Sequence, residues 1–174
     1  MKTFAISSLI TLLFTTNLVA QKTDDPAWAK WKFLVGEWAG EFNGQPGVQS
    51  TIFSFEPDLN KQIITGEVRI APMDTGIGSG RIRKDLLIIY NNMDAKLAKA
   101  IYFDNTGRVI DYYISFNDDS SVVFTSPAIN DQPRYRITYY NKAKDRIRIK
   151  SESSPQGQPN AFTLVNEGNW IRLK

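Results

Sequence analysis

The chain contains neither histidine nor cysteine. Without imidazole or thiolate it cannot assemble a Ser-His-Asp or Cys-His nucleophile system. The usual zinc sites rely on the same two side chains, and haem held by a proximal histidine needs one of them. Neither cofactor is therefore expected, no metal ligand is assigned, and disulfide bonds are excluded. Carboxylates, Lys, Arg, Tyr and Ser remain for chemistry, and most enzyme classes fall away.

A second scarcity is the long apolar run, of which there is one. Met1-Lys2 is followed by a mostly apolar stretch from Phe4 to Phe14, then the polar Thr15-Thr16-Asn17. Leu18-Val19-Ala20 places a small residue just before Gln21. This is the pattern of a secretory signal over residues 1–20, and the run is too short for a transmembrane helix. A periplasmic or secreted location with no stable membrane span is expected. No cysteine follows Ala20, so a lipid-modified N-terminus of the bacterial kind is not expected either. Removing 20 of the 174 residues leaves 154, the size of one domain spanning 21–174. A chain of that length buries roughly 68–70% of its unfolded surface and needs no disulfide staples. Loss of Lys2 takes the net charge from +3 to +2, too weak a balance for nucleic acid.

Asp25-Pro26 reads as an N-cap followed by proline at the first helical position. Trp28 and Trp31 are three apart, which predicts a short N-terminal helical lid with both indoles turned to the core. From Phe33 onward the pattern changes to period two, broken by turn residues every eight to twelve positions. Strands are expected at 33–43, 48–57, 60–71, 82–91, 97–104, 107–116, 120–126, 133–141, 145–153 and 161–172. Between them stand hairpin residues such as Asn43-Gly44, Pro57-Asp58, Asn91-Asn92, Asp104-Asn105-Thr106-Gly107 and Asn117-Asp118-Asp119. Connections this short force antiparallel neighbours. The fold class is all-β, and ten sequential strands without long returns favour an up-and-down barrel over a sandwich. Two connections are longer, 72–80 and 154–159. Gly76-Ile77-Gly78-Ser79-Gly80 has no helix behind it to make a phosphate cradle and reads as a loop.

Alternation also assigns the faces. Ile147 and Ile149 turn inward between Arg146, Arg148 and Lys150; Tyr135, Ile137 and Tyr139 turn inward between Arg134 and Arg136. Ile110, Tyr112, Ile114 and Phe116 line another strand, and Thr51, Phe53 and Phe55 another. Strands 82–91 and 97–104 are apolar on both sides, so their facing stays open. A closed sheet of this size can enclose a small ligand. Its candidate site has Tyr112 and Tyr139 as polar anchors, with Phe53, Phe55 and Ile114 as wall. The alternative is a filled core whose tyrosines are satisfied by backbone or water.

Gly36-Glu37-Trp38-Ala39-Gly40 resembles the Gly-x-Trp opening strand of the calycin β-barrels, the lipocalins and their fatty-acid-binding relatives. The resemblance implies that Trp38 packs inside one end of the barrel and that Arg172, near the chain's end, lies over its ring. Gly36 and Gly40 would then make room around the indole. Tyr90-Asn91-Asn92 and Tyr102-Phe103-Asp104-Asn105-Thr106-Gly107 are similar to a bacterial group of short, often exported calycin-like proteins of unknown function. Ile89 and Asn91 depart from the glycine and aspartate of that group's Gly-Tyr-Asp turn. The nitrobindins are a ten-stranded, haem-binding relative, and their iron-ligating histidine has no counterpart here.

Three functions follow. The first is an exported carrier of a small apolar or amphipathic molecule, such as a lipid. The second is a structural or interaction protein with a filled barrel and a basic outer face: Arg134 to Lys150 holds seven cationic residues against Asp145 alone. The third is an enzyme built on an inward carboxylate, for which Glu37, Glu67, Asp85, Asp104 and Asp111 are the strand-borne candidates. Asp104 also reads as a turn-stabilising residue. Oligomeric state is not indicated.

Overall fold

A computed structural model describes residues 26–41, 51–70, 83–92, 97–118, 120–129 and 131–173. The expected signal segment, the Asp25 cap, the turn at Asn43-Gly44 and the 72–80 loop lie outside them. A single helical turn, α1 (Pro26–Ala29), precedes ten strands: β1 (Gly36–Gly40), β2 (Thr51–Asp58), β3 (Ile63–Ile70), β4 (Arg83–Asn92) and β5 (Leu97–Phe103). β6 (Val109–Phe116), β7 (Ser121–Thr125), β8 (Arg134–Ala143), β9 (Arg146–Ser154) and β10 (Thr163–Arg172) complete the set. Each strand pairs antiparallel with its neighbours in sequence, and β10 returns to β1. The result is the expected closed, ten-stranded, all-β barrel.

The turns form for local reasons. At the β5–β6 hairpin the Asp104 carboxylate accepts from the Thr106 N–H at 2.9 Å, the Thr106 hydroxyl at 2.6 Å and the Arg108 N–H at 2.9 Å. Gly107 supplies the positive φ of 88° that the turn needs. These bonds, the Thr106 hydroxyl foremost, hold the Asp104 carboxyl down to about 2. Two strand starts differ most from expectation: β1 begins at Gly36 rather than at 33, because Phe33 and Leu34 belong to a turn, and β3 also begins later. Pro57 and Asp58 stay in β2, and the turn falls at Leu59, Asn60 and Lys61, all with positive φ. Left-handed residues cannot continue a strand, so β3 starts at Ile63 rather than at 60.

Gly36, Trp38 and Gly40 share the inner face of β1. Gly36 sits opposite Phe55 and Gly40 opposite Trp170, and Gly36 adopts a φ of 130° that a side chain would resist. Phe55 has a second glycine on its other side, Gly66 of β3. A β-carbon at position 66 would lie 2.8 Å from Phe55 Cε1 and 3.2 Å from Leu87 Cβ. The Phe55 ring thus occupies space that two neighbouring strands leave empty. Gly66→Ala is expected to destabilise the fold by about 1–3 kcal/mol through overpacking, read as a lowered urea midpoint with an unchanged m-value. A neutral result would show that Phe55 rotates away without cost.

One end of the barrel is plugged. Trp38 is fully buried, stacks on Phe53 with ring centroids 6.2 Å apart, and donates from Nε1 to the Leu34 carbonyl at 2.8 Å. The Arg172 guanidinium lies 4.1 Å from the Trp38 ring centroid, the contact that the resemblance implies. It also donates to the carbonyls of Val35 and, at 3.0 Å, Phe33. Trp31 fills the remaining gap, edge-on to Phe116 at 5.1 Å and Phe124 at 6.0 Å.

Candidate functional site

Above the plug the barrel is not filled. It encloses a cavity of about 540 Å³ bordered by residues from nine of the ten strands, β1 excepted, and by Arg108 of the β5–β6 hairpin. That lies within the usual 300–1,000 Å³ of a small-molecule site. Alternation and register divide its wall into two arcs. Val68, Phe53, Phe55, Trp170 and Ile149 form a mainly apolar arc on β3, β2, β10 and β9, with the hydroxyls of Thr51, Ser151 and Ser153 beside them. Phe53 meets Trp170 at 4.7 Å and Phe55 at 5.5 Å, both edge to face. The other arc, β4 to β8, carries Asp85, Tyr102, Tyr112, Tyr135 and Tyr139 among Leu87, Ile110 and Phe124.

The polar arc is organised around Asp85, which is 3% exposed. It accepts from Arg83 Nε at 3.1 and 3.2 Å, from the Tyr102 hydroxyl at 2.6 Å and from the Asn105 N–H at 3.4 Å. Burial, with the Asp85 bond second, pushes the Tyr102 hydroxyl up to about 12. The group therefore stays a protonated donor. Arg108 reaches over from the hairpin to the Tyr135 ring, 5.6 Å from its centroid. Burial also pushes the Tyr112 and Tyr139 hydroxyls well up. These two side chains are 4% and 9% exposed and flank Phe124 at 6.1 and 5.4 Å. Among the described residues neither hydroxyl has a hydrogen-bond partner, and no occluded side-chain oxygen is left unpaired. Both hydroxyls thus open onto the cavity.

Of the five site residues expected from the sequence, Phe53, Phe55, Tyr112 and Tyr139 border the cavity, with Thr51, Ile110, Tyr135, Ile137 and Ile149 from the same inward assignments. Ile114 does not border it. It is buried in the core one step closer to the plug, opposite Phe124. Arg83, Asp85, Tyr102 and Trp170 were not singled out as binding residues. In the sequence Asp85 reads only as a carboxylate on a strand of open facing.

The other candidate carboxylates face elsewhere. Glu37 pairs with Arg69 at 2.6 Å and Glu67 with Lys84 at 2.6 Å on the outer surface; Asp111 is exposed and Asp104 serves its turn. Asp85 is thus the candidate that turns inward, and it is committed to Arg83 and Tyr102. Among the described residues no acidic cluster could hold a metal ion, and no helix is long and apolar enough to cross a membrane.

The basic stretch of β8 and β9 is not a free cationic face. Acids meet it both from just beyond its end, at Glu152, and from other strands and segments, at Glu167 and Glu41. Glu152 receives Arg136 at 2.7 and 2.9 Å and Lys150 at 2.8 Å. Glu167 receives Arg148, and Glu41 receives Arg146 at 2.8 Å. Glu152 is nearly buried, and the Arg136 bonds first, then Lys150, hold its carboxyl down to about 2. As pH falls below the ordinary 4.5, the unfolded chain takes up this proton before the native one. The stabilisation is complete above pH 5 and vanishes near pH 2, at about 1–2 kcal/mol after solvent screening at Arg136. Glu152→Gln is expected to remove that amount at pH 7 and nothing near pH 2, measured by urea unfolding of both proteins across the range. A pH-independent difference would show that packing rather than charge holds Glu152.

No protein-family model and no curated protein matches the chain. The functional reading therefore rests on the cavity itself.

Proposed function

We propose that this protein is an exported carrier that holds a small apolar or amphipathic molecule, such as a lipid, in the barrel lumen. The observation that carries the reading is the cavity of about 540 Å³ between an aromatic arc and a phenol-bearing arc. A barrel that served only as a scaffold would gain stability by filling that volume, because interiors pack to crystal-like density. Phe53 and Phe55 act as wall, and Tyr112 and Tyr139 as anchors that fix orientation. The N-terminal turn, with Trp31 beneath it, acts as the lid of the plugged end. Export follows from the pattern of residues 1–20 and places the carrier in a periplasm or outside the cell. The Gly36-Glu37-Trp38 opening and its partner Arg172 support kinship with exported calycin-like barrels. The interaction reading loses its main support, since four of its cations are ion-paired.

The test is native mass spectrometry of the exported protein, followed by solvent extraction. A stoichiometric extra mass that leaves on extraction is expected, and its identity names the ligand class. Val68→Trp, which places an indole in the lumen, is expected to abolish that mass while the circular dichroism spectrum is kept. A bare wild-type mass, with no binding to a panel of lipids and hydrophobic dyes, would overturn the carrier function.

A further inference from the structure

We propose that the lumen selects a flat, oxygenated ring compound, with hydrogen-bond acceptors along one edge, over a single-headed alkyl lipid. The inference rests on the carrier function above and narrows its ligand class. Its basis is the way polarity is distributed around the wall. In a site for an alkyl lipid, one polar cluster receives the head and the remaining wall is apolar. Here the donors are spread along one arc: Tyr112 on β6, Tyr135 and Tyr139 on β8, with Arg108 above Tyr135, while the Tyr102 hydroxyl on β5 is taken by Asp85. The opposing stretch is mainly apolar, with Phe53, Phe55, Val68, Ile149 and Trp170, and its oxygens on that face are the small hydroxyls of Thr51, Ser151 and Ser153. A ligand matching both walls is amphipathic from edge to edge.

Two features make the match selective. Tyr112 and Tyr139 are more than nine-tenths buried, lack a protein partner among the described residues, and open onto the cavity. An alkyl chain beside them would exclude water and leave both donors unpaired, which costs about tenfold in affinity or more for each. A carbonyl, ether or hydroxyl oxygen at the same place would accept from them. The apolar wall also carries the rings of Phe53, Phe55 and Trp170, at centroid distances of 4.7 and 5.5 Å, which give an aromatic ligand stacked or edge-to-face partners that an alkyl chain cannot use. The volume agrees. At about 30 Å³ for each water-sized group, 540 Å³ has room for roughly eighteen such groups, the scale of three fused rings and too little for a two-chained phospholipid.

The experiment uses three soluble probes that share one head group, titrated into the purified exported protein after solvent extraction and followed by calorimetry. They are anthraquinone-2-sulfonate, anthracene-2-sulfonate and dodecane-1-sulfonate. The quinone is expected to bind about tenfold or more tighter than either of the others. Tyr112→Phe and Tyr139→Phe should each erode that advantage from both sides, weakening the quinone and tightening anthracene-2-sulfonate, which no longer strands a donor; binding of the anthracene probe also reports that the variants are folded. Equal or tighter binding of the anthracene or dodecane probe overturns the inference and leaves the carrier function standing. So does a quinone advantage that survives both substitutions. If none of the three binds, the inference falls, and the carrier function falls with it only if the wild-type mass is also bare.

Discussion

Arg172→Ala is expected to lower stability by about 3–5 kcal/mol. The guanidinium performs three jobs that no other side chain duplicates. It lies 4.1 Å from the centroid of the fully buried Trp38, where desolvation makes a cation–π contact worth about 2 kcal/mol. It donates to the carbonyls of Phe33 and Val35, which belong to the segment entering β1 and have no strand partner of their own. It does this from the last position of β10, so chain end is tied to chain start across the seam that closes the barrel. Alanine would leave two carbonyls and an indole face without partners. At 2–4 °C per kcal/mol for a domain of this size, the melting temperature should fall by roughly 10 °C. Arg172→Lys should recover little, because an ammonium cannot fork between two carbonyls while lying flat on a ring. Arg69→Ala, which breaks the exposed pair with Glu37, is the contrast, at about 0–1 kcal/mol. Equal losses for the two alanine variants would show that the seam does not depend on this residue.

What the sequence disclosed and what it hid divide along local and non-local lines. Strand number and order were legible, because alternation and the Asn, Asp and Gly punctuation act over a few residues. Asp104 illustrates this: all three of its backbone and hydroxyl bonds are made within four positions. The facing of β4 was not legible, because Leu86 and Ile88 outside match Leu87 and Ile89 inside. Only pairing with β3 and β5 decides it, and with it the inward turn of Asp85. That carboxylate meets Tyr102 across seventeen residues, through the β4–β5 register. The basic stretch misled for the same reason. Its counter-charges Glu41 and Glu167 lie on other segments, where a linear scan does not look, and Glu152, two positions past Lys150, reaches Arg136 only through the β8–β9 register. Tyr112 and Tyr139 were legible as inward residues. That their hydroxyls remain unpaired follows from the shape of the wall around them.

Trp31→Ala is expected to cost about 3–5 kcal/mol, and the way it fails separates closure from binding. Trp31 is 1% exposed although it belongs to no strand. Its indole is wedged edge-on against Phe116 and Phe124, at the plugged end of β6 and β7, and tilted against Trp28 at 6.2 Å. The Trp31 carbonyl accepts from the Leu34 and Val35 N–H groups at 2.9 and 3.2 Å, which positions Leu34 to receive the Trp38 indole. Removing the side chain therefore opens a void that the rigid strand ends cannot collapse to fill. Trp28→Ala, at the half-buried neighbour, should cost no more than about 1–2 kcal/mol, because less surface returns to water. Trp31 does not border the lumen cavity, whereas Phe124 behind it does. At a temperature where Trp31→Ala is still folded, the dissociation constant for a lumen ligand should stay within about threefold of wild type, a change worth less than 1 kcal/mol. A large loss of affinity with little loss of stability would mean that the indole shapes the binding wall through Phe124, and that the plug and the site are one structure.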